Sequence, residues 1–227
     1  MYLGEDSFIL SEFLGNYLKN KDREMRILDM GSGSGIQAET CLKLGFRNIT
    51  AADIREDESI LLKNKFTNIK KSLGGLCGTS GCSEKSDICK ANVCHIMSEI
   101  FYGFLSTLKN LWIFDDVAVY FSDIKVIQSD LFSNISDKFD LIIFNPPYLP
   151  ENKYDKKPDT TGGKKGDEII LRFLKQAKNH LTDNGEIILL LSSFTPKARI
   201  KTLPWKKKKL EEKNLFFEKL EIWLFKL

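Results

Sequence analysis

The sequence predicts an α/β domain, a mostly parallel sheet with helices on both faces. Three observations carry that expectation. Short apolar runs alternate with segments of helical spacing, one run meets a cluster of glycines, and FDLIIF (139–144) is apolar enough to lie at a sheet's centre. Strand and helix in short alternation build parallel sheets, because each crossover helix covers one face.

Residues 7–19 place Phe8, Leu10, Phe13, Leu14 and Tyr17 near helical spacing, with Asp6 or Ser7 available to cap the helix. RILDM (26–30) reads as a strand feeding a turn, and 36–44 as a helix closed by Gly45. NITAAD (48–53) is the second strand and 56–66 the second helix. From 67 to 122 the rhythm breaks into a Gly/Ser/Cys stretch and an apolar segment, read as an insertion within a single domain spanning 1–227. The pattern resumes with strands at 124–127 and 139–144, a helix at 167–181, a strand at 185–191 and two extended pieces within 206–227 around Asn214. Between Pro196 and Trp205 the chain is short for a further helix-and-strand unit.

Composition narrows the class. The 227 residues are 42% hydrophobic and 29% charged, as in a globular chain with a buried core. A net charge of +3 gives no blanket case for nucleic acid, and the runs at 153–157, Lys164–Lys165 and Lys206–Lys209 read as solvated surface. Apolar runs such as Ile187–Leu191 are too short to span a bilayer, and the start MYLGEDSFIL has no basic segment ahead of an apolar one. The expectation is a cytoplasmic protein with no membrane partner. The only histidines are His95 and His180, and neither belongs to a Ser/His/Asp set, so hydrolase chemistry has little support.

Asp29-Met30-Gly31-Ser32-Gly33-Ser34-Gly35 lies between a predicted strand and a predicted helix. Glycines there let the backbone turn sharply and a ligand approach closely. Asp53 ends the next strand, where a carboxylate can accept from ribose hydroxyls, and Asp130 follows the third, where it could accept from an adenine amino group. A dinucleotide and S-adenosylmethionine both fit such an edge. The spacing is G-x-G-x-G, without the G-x-G-x-x-G that seats a pyrophosphate.

Asn145-Pro146-Pro147-Tyr148 follows directly on the apolar strand. Tandem prolines fix the backbone, holding the Asn145 side chain and the Pro146 carbonyl as neighbouring acceptors. Transfer to an amide nitrogen needs such a pair, because its lone pair is delocalised and must be aimed. Acceptors on its two N–H groups aim it and stabilise the charge that develops on nitrogen. Tyr148 can stack on a planar acceptor and exclude water.

With these motifs in view, the chain resembles the HemK-related glutamine methyltransferases of translation release factors, in their short archaeal and eukaryotic branch. The resemblance rests on Glu5-Asp6-Ser7, Asp29 to Gly35, Ala52-Asp53-Ile54, Ser129-Asp130-Leu131, Phe144 to Pro150, Gly162-Gly163 with Gly166, and the ending LFFEKLEIWLFKL. It implies a seven-stranded, Rossmann-like methyltransferase sheet and S-adenosylmethionine as methyl donor. Ser7, Asp29, Gly31, Gly33, Asp53, Asp130, Leu131 and Asn145 would contact the cofactor. Asn145, Pro146, Pro147 and Tyr148 would hold a glutamine from the Gly-Gly-Gln loop of a class I release factor, with Gly162-Gly163 bordering the cleft. It also implies a small zinc-containing activator subunit. Adenine N6 of DNA or RNA, another protein side chain, and an inactive scaffold are the alternatives.

Cys77, Cys82, Cys89 and Cys94 are spaced C-x4-C-x6-C-x4-C within the insertion. That is looser than paired C-x2-C ends, so an insert with free thiols comes ahead of a zinc site, and a segment absent from the mature chain is a third reading.

Overall fold

The computed structural model describes residues 4–74, 124–151 and 161–227, with the backbone alone for 69–74. The elements run α1 (Glu5–Tyr17), β1 (Arg26–Met30), α2 (Ile36–Lys43), β2 (Asn48–Asp53), α3 (Glu56–Gly74), β3 (Lys125–Gln128), β4 (Phe139–Phe144), α4 (Glu168–Ala177), β5 (Leu181–Ser192), α5 (Lys197–Lys201), β6 (Lys206–Asn214) and β7 (Lys219–Lys226). They form one seven-stranded sheet of order β3-β2-β1-β4-β5-β7-β6. The first five strands are parallel, and β7 inserts antiparallel between β5 and β6. The expected mostly parallel, seven-stranded architecture is the one observed.

Period-two alternation explains why the central strands are apolar throughout. Ile27, Leu141, Ile143, Ile188 and Leu190 face a core layer shared with Leu10 and Leu14 of α1, Cys41 of α2 and Leu62 of α3. Their neighbours Leu28, Ile142, Phe144, Ile187 and Leu189 face the opposite layer, with Ile170, Phe173 and Leu174 of α4. All of these residues are essentially inaccessible to water, and each contributes on the order of 1.5–3 kcal/mol through burial. A strand covered on both faces needs hydrophobes at every position.

Several boundaries depart from expectation. The N-cap of α1 is Gly4, which makes no side-chain cap; Asp6 and Ser7 lie in the first turn, and Asp6 is engaged elsewhere. Helix α3 runs on to Gly74, eight residues past the expected end and into the predicted insertion, whose remainder from 75 lies outside the described residues. Helix α4 stops at Ala177, because Asn179 and His180 turn back onto Gln176 and Ala177, and β5 begins at Leu181 by pairing with Phe139. The short segment after Pro196 holds a five-residue helix.

The parallel strands all point their carboxyl ends to one edge. Strand β7 enters there, since Ser192 at the end of β5 pairs with Leu220. The hairpin tip joining β6 to β7 therefore shares that edge with the loops after β1, β2, β3 and β4.

Candidate active site

The glycine loop after β1 is organised by Asp29. This carboxylate is 3% exposed, and its Oδ2 accepts from Ser32 Oγ (2.7 Å) and the Ala38 amide (3.0 Å). Burial pushes its pKa up to about 6, with the charge of Asp53 adding to the rise, against the lowering effect of the Ser32 and Ala38 hydrogen bonds. Asp29 thus fastens the turn to the start of α2, while Lys65 of α3 donates to the Ser34 carbonyl from the other side (3.0 Å). Gly35 has φ +77°, and a Cβ there would lie 2.5 Å from a Leu62 methyl, so the handover from loop to helix requires glycine.

Asp53 stands at the end of β2, 6% exposed, accepting from the Gly33 amide through Oδ2 and the Arg55 amide through Oδ1, both at 2.9 Å. Each oxygen keeps a lone pair. Beside it Ile54 is 56% exposed, an apolar surface suited to a flat base that residue-type reasoning did not single out. After β3, the Ser129 amide donates to the Asp53 carbonyl (2.8 Å), tying the two strand ends together. Leu131 has φ +49°, the one positive φ outside glycine among the described residues. Such a backbone costs on the order of 1 kcal/mol and is held by Ser129 Oγ donating to the Leu131 carbonyl (2.7 Å). Asp130 is solvent-facing and clamped by both terminal nitrogens of Arg172 (2.6 and 3.1 Å).

Across the edge, β4 delivers Asn145. Its Nδ2 donates to Asp6 Oδ2 (3.1 Å) and Ser7 Oγ (3.3 Å), both from the first turn of α1. A carboxylate only accepts, so the amide nitrogen must face Asp6 and the amide oxygen must face away. That oxygen, Asn145 Oδ1, is buried with no hydrogen-bond partner among the described residues. Unpaired buried acceptors are costly and rare. Among the described residues the only other is Gln37 Oε1, whose amide nitrogen donates to the Ser7 carbonyl (3.3 Å). Asp6 also holds the Tyr148 hydroxyl, whose pKa is raised by burial and by the carboxylates of Asp6 and Glu218, so the phenol stays protonated. Asp6 is the principal residue that sequence reasoning missed, having been read as a cap.

The backbone of residues 147–151 is braced by the Gly162–Gly166 turn. Gly162 donates to the Leu149 carbonyl (2.9 Å), and Glu151 donates to the Gly163 carbonyl (3.0 Å). A Cβ on Gly162 would lie 2.7 Å from the Pro147 carbonyl oxygen, so only glycine lets the two segments meet. Asp167, fully buried after this turn, is paired to Arg199 of α5 through Nε (2.9 Å) and a terminal nitrogen.

A groove of about 680 Å³ between the residues after β3 and the outer side of α4 shares only Asp130 with this edge. His180 there stacks on Phe132 at 4.3 Å and contacts the carbonyls of Gln176 and Ile135, a packing role at a helix end. Cys77, Cys82, Cys89 and Cys94 lie outside the described residues, and Cys41 is buried in the core. Among the described residues no helix is long and apolar enough to cross a membrane.

A parallel sheet with an antiparallel seventh strand carries a glycine turn and an Asn-Pro-Pro-Tyr segment at one edge. The methyltransferase small domain family matches residues 116–217. A putative protein N5-glutamine methyltransferase of Methanocaldococcus jannaschii is 29% identical over 197 residues, covering 84% of this chain and 71% of that protein. The release factor glutamine methyltransferase of Lactococcus lactis is 28% identical over 181 residues, 75% of this chain, which spans about half (48%) of that relative. The fold is shared with a chain of the E. cuniculi Mtq2-Trm112 complex, which is responsible for methylating the eRF1 termination factor; the TM-score is 0.58 at 17% identity, covering 99% and 96% of the two chains. The methyltransferase small domain thus matches the C-terminal part of the chain, and protein glutamine methyltransferases are among its sequence relatives.

Proposed function

We propose that the chain methylates a side-chain amide nitrogen, that of the glutamine in the Gly-Gly-Gln loop of a class I release factor, with S-adenosylmethionine as donor. The observation that carries this reading is Asn145 Oδ1, a buried acceptor whose orientation is imposed by Asp6 and which no described residue partners.

The cofactor fits the residues present. Asp53 keeps lone pairs for ribose hydroxyls, Ile54 offers an exposed apolar flank to a purine, and Asp130, held by Arg172, would take the amino group through its remaining lone pairs. Met30 to Gly35 form the floor, with Gly31, Gly33 and Ser7 facing the same edge. When bound, S-adenosylmethionine supplies an electrophilic methyl on a sulfonium. Asn145 Oδ1 and the Pro146 carbonyl accept the two N–H groups of the glutamine amide and turn its lone pair toward that methyl. The nitrogen would take that methyl from sulfur, which would keep the bonding electron pair, and would shed one proton to solvent once the methylated amide leaves the walled site. The same two oxygens stabilise the positive charge as it grows on nitrogen. Tyr148, held neutral by Asp6, and Pro147 wall the amide from water.

A small activator subunit belongs to the same proposal. Support comes from the outer edge of β3, which pairs with no further strand among the described residues and where Val126 and Ile127 are only half-buried, and from the fold shared with one chain of a two-protein complex. The zinc expected of that subunit is part of the proposal.

The test is mass spectrometry of a class I release factor after incubation with the chain, its activator and isotopically labelled cofactor. One labelled methyl on the loop glutamine is expected. Label on duplex or single-stranded nucleic acid, with none on the factor, would replace this reading by adenine methylation.

A further inference from the structure

Phe216 and Phe217 are 92% and 83% exposed, the most exposed large hydrophobes among the described residues. They sit at the tip of the β6–β7 hairpin and pack only edge to face on each other, at 4.6 Å between ring centroids. The tip is tightly made. Asn214 pairs with Lys219 at the end of the ladder, and the Leu215 amide donates to the Glu218 carbonyl at 2.7 Å. Two adjacent phenylalanines displayed on a fixed turn are surface that water does not favour.

The tip is joined to the acceptor side of the sheet edge. Glu218, the next residue, accepts from Ser192 Oγ at the end of β5, and its carboxylate raises the Tyr148 pKa. The Phe194 amide donates to the same Ser192 Oγ (3.1 Å), and Phe194 is itself 50% exposed. Ser193 and Lys219 exchange two further hydrogen bonds across the gap. One hydrogen-bonded unit thus carries three exposed aromatic residues beside Tyr148.

Charge decides the kind of partner. The lysines nearest the tip are engaged within the chain, Lys213 with Glu12 and Lys219 and Lys209 with Glu212; Lys207 is held by the carbonyls of Lys201 and Leu203, and only Lys206 and Lys208, at the far end of β6, have no ion pair among the described residues. A nucleic-acid surface would hold its cations free for phosphates. An apolar aromatic tip with neutralised flanks suits the apolar face of a folded protein.

We infer that Phe216 and Phe217, with Phe194 beside them, form the docking surface for the body of the acceptor protein, gripping it outside the loop whose glutamine enters at Asn145. This rests on the protein-acceptor reading above, and it assigns recognition to a surface that makes no contact with the reacting atoms.

The test compares wild type with the Phe216→Ser, Phe217→Ser double variant, using the full chain with its activator. Two acceptors are used, an intact class I release factor and a short peptide carrying its Gly-Gly-Gln loop. Both side chains are almost wholly in water, so the variant folds as wild type, which its melting curve checks. The expected result is a KM for the intact factor raised at least about ten-fold, with kcat, cofactor affinity and activity on the peptide unchanged. An unchanged KM on an active enzyme would overturn the inference and leave the glutamine reading standing. Equal loss on peptide and protein would also overturn it, by placing the tip in the chemistry. So would a wild-type dimer that the variant dissolves, which makes the tip a self-association surface. A wild type that methylates neither acceptor would bring down the glutamine reading, and this inference with it.

Discussion

At the β1–β2–β3 end of the sheet edge the three carboxylates are answered from within the chain, and at the β4 end a buried amide oxygen is answered by no described residue. Asp29 accepts from Ser32 and Ala38, Asp53 from Gly33 and Arg55, and Asp130 from Arg172. Across the edge, Asn145 has its nitrogen tied to Asp6 and Ser7 and its oxygen buried without a donor. The contrast separates two jobs. A nucleoside cofactor needs a shaped floor, and a floor held by internal hydrogen bonds costs nothing to organise when the ligand arrives. Catalysis needs interactions that are strongest in the transition state, and an oriented acceptor left unpaired is available for that use.

The contrast breaks most directly at Asn145. Asn145→Ala removes the orphan oxygen and should lower kcat by about 100- to 1000-fold, the range for loss of one preorganised partner of developing charge. Cofactor affinity, measured by calorimetry, should stay within a few-fold of wild type. Equal losses in both would mean that the two ends are not separate.

Asp6→Ala tests whether the orientation of Asn145 matters as much as its presence. With Asp6 gone, the Asn145 amide keeps only Ser7 Oγ as a partner and can rotate, which also frees the Tyr148 hydroxyl. A fall in kcat of roughly 10- to 100-fold is expected from such misplacement, at unchanged cofactor affinity. Steady-state kinetics at saturating cofactor checks it, and a KM effect with kcat intact would assign Asp6 to binding.

Asp53→Ala acts on the other end. It removes the acceptor of the Gly33 amide together with the one offered to ribose, and hydrogen bonds to a charged group are worth about 1.5–3 kcal/mol each. The cofactor dissociation constant should rise by roughly 10- to 100-fold, with kcat restored near wild type when cofactor saturates.

The same contrast governs what could be read from sequence. Strands 26–30, 48–53 and 139–144 were legible to the residue, because strands buried on both faces are mostly apolar runs bounded by turn residues. The glycine loop and the Asn-Pro-Pro-Tyr turn were legible because their chemistry is local. Asp6 was not, since its partner Asn145 lies 139 positions away and no spacing rule reaches that far. Arg172 on Asp130 was hidden for the same reason, at 42 positions. The extension of α3 through NIKKSLG was hidden by its polarity, which resembles a linker when no packing partner is in view. Phe216 and Phe217 read as part of a terminal strand, and only the hairpin geometry shows them as a tip in water.

A last effect is expected on stability alone, and it tests whether the cofactor floor is self-held. Folding raises the Asp29 pKa from 3.8 to about 6, with burial as the main cause. A carboxyl whose folded pKa lies above its unfolded value binds more protons in the folded state between those two points. Its favourable contribution is therefore complete below about pH 3.8 and disappears as pH rises through about 6. The difference in pKa corresponds to a contribution on the order of 3 kcal/mol at its largest. Asp29→Asn keeps an oxygen for Ser32 and Ala38 and removes the titration. The stability difference, wild type minus variant, should fall between pH 4 and pH 7 when followed by urea unfolding, most steeply about midway between the two pKa values of 3.8 and about 6. A difference that stays flat across that range would mean that Asp29 is not buried within the loop, and the glycine turn would then need the cofactor to hold its shape.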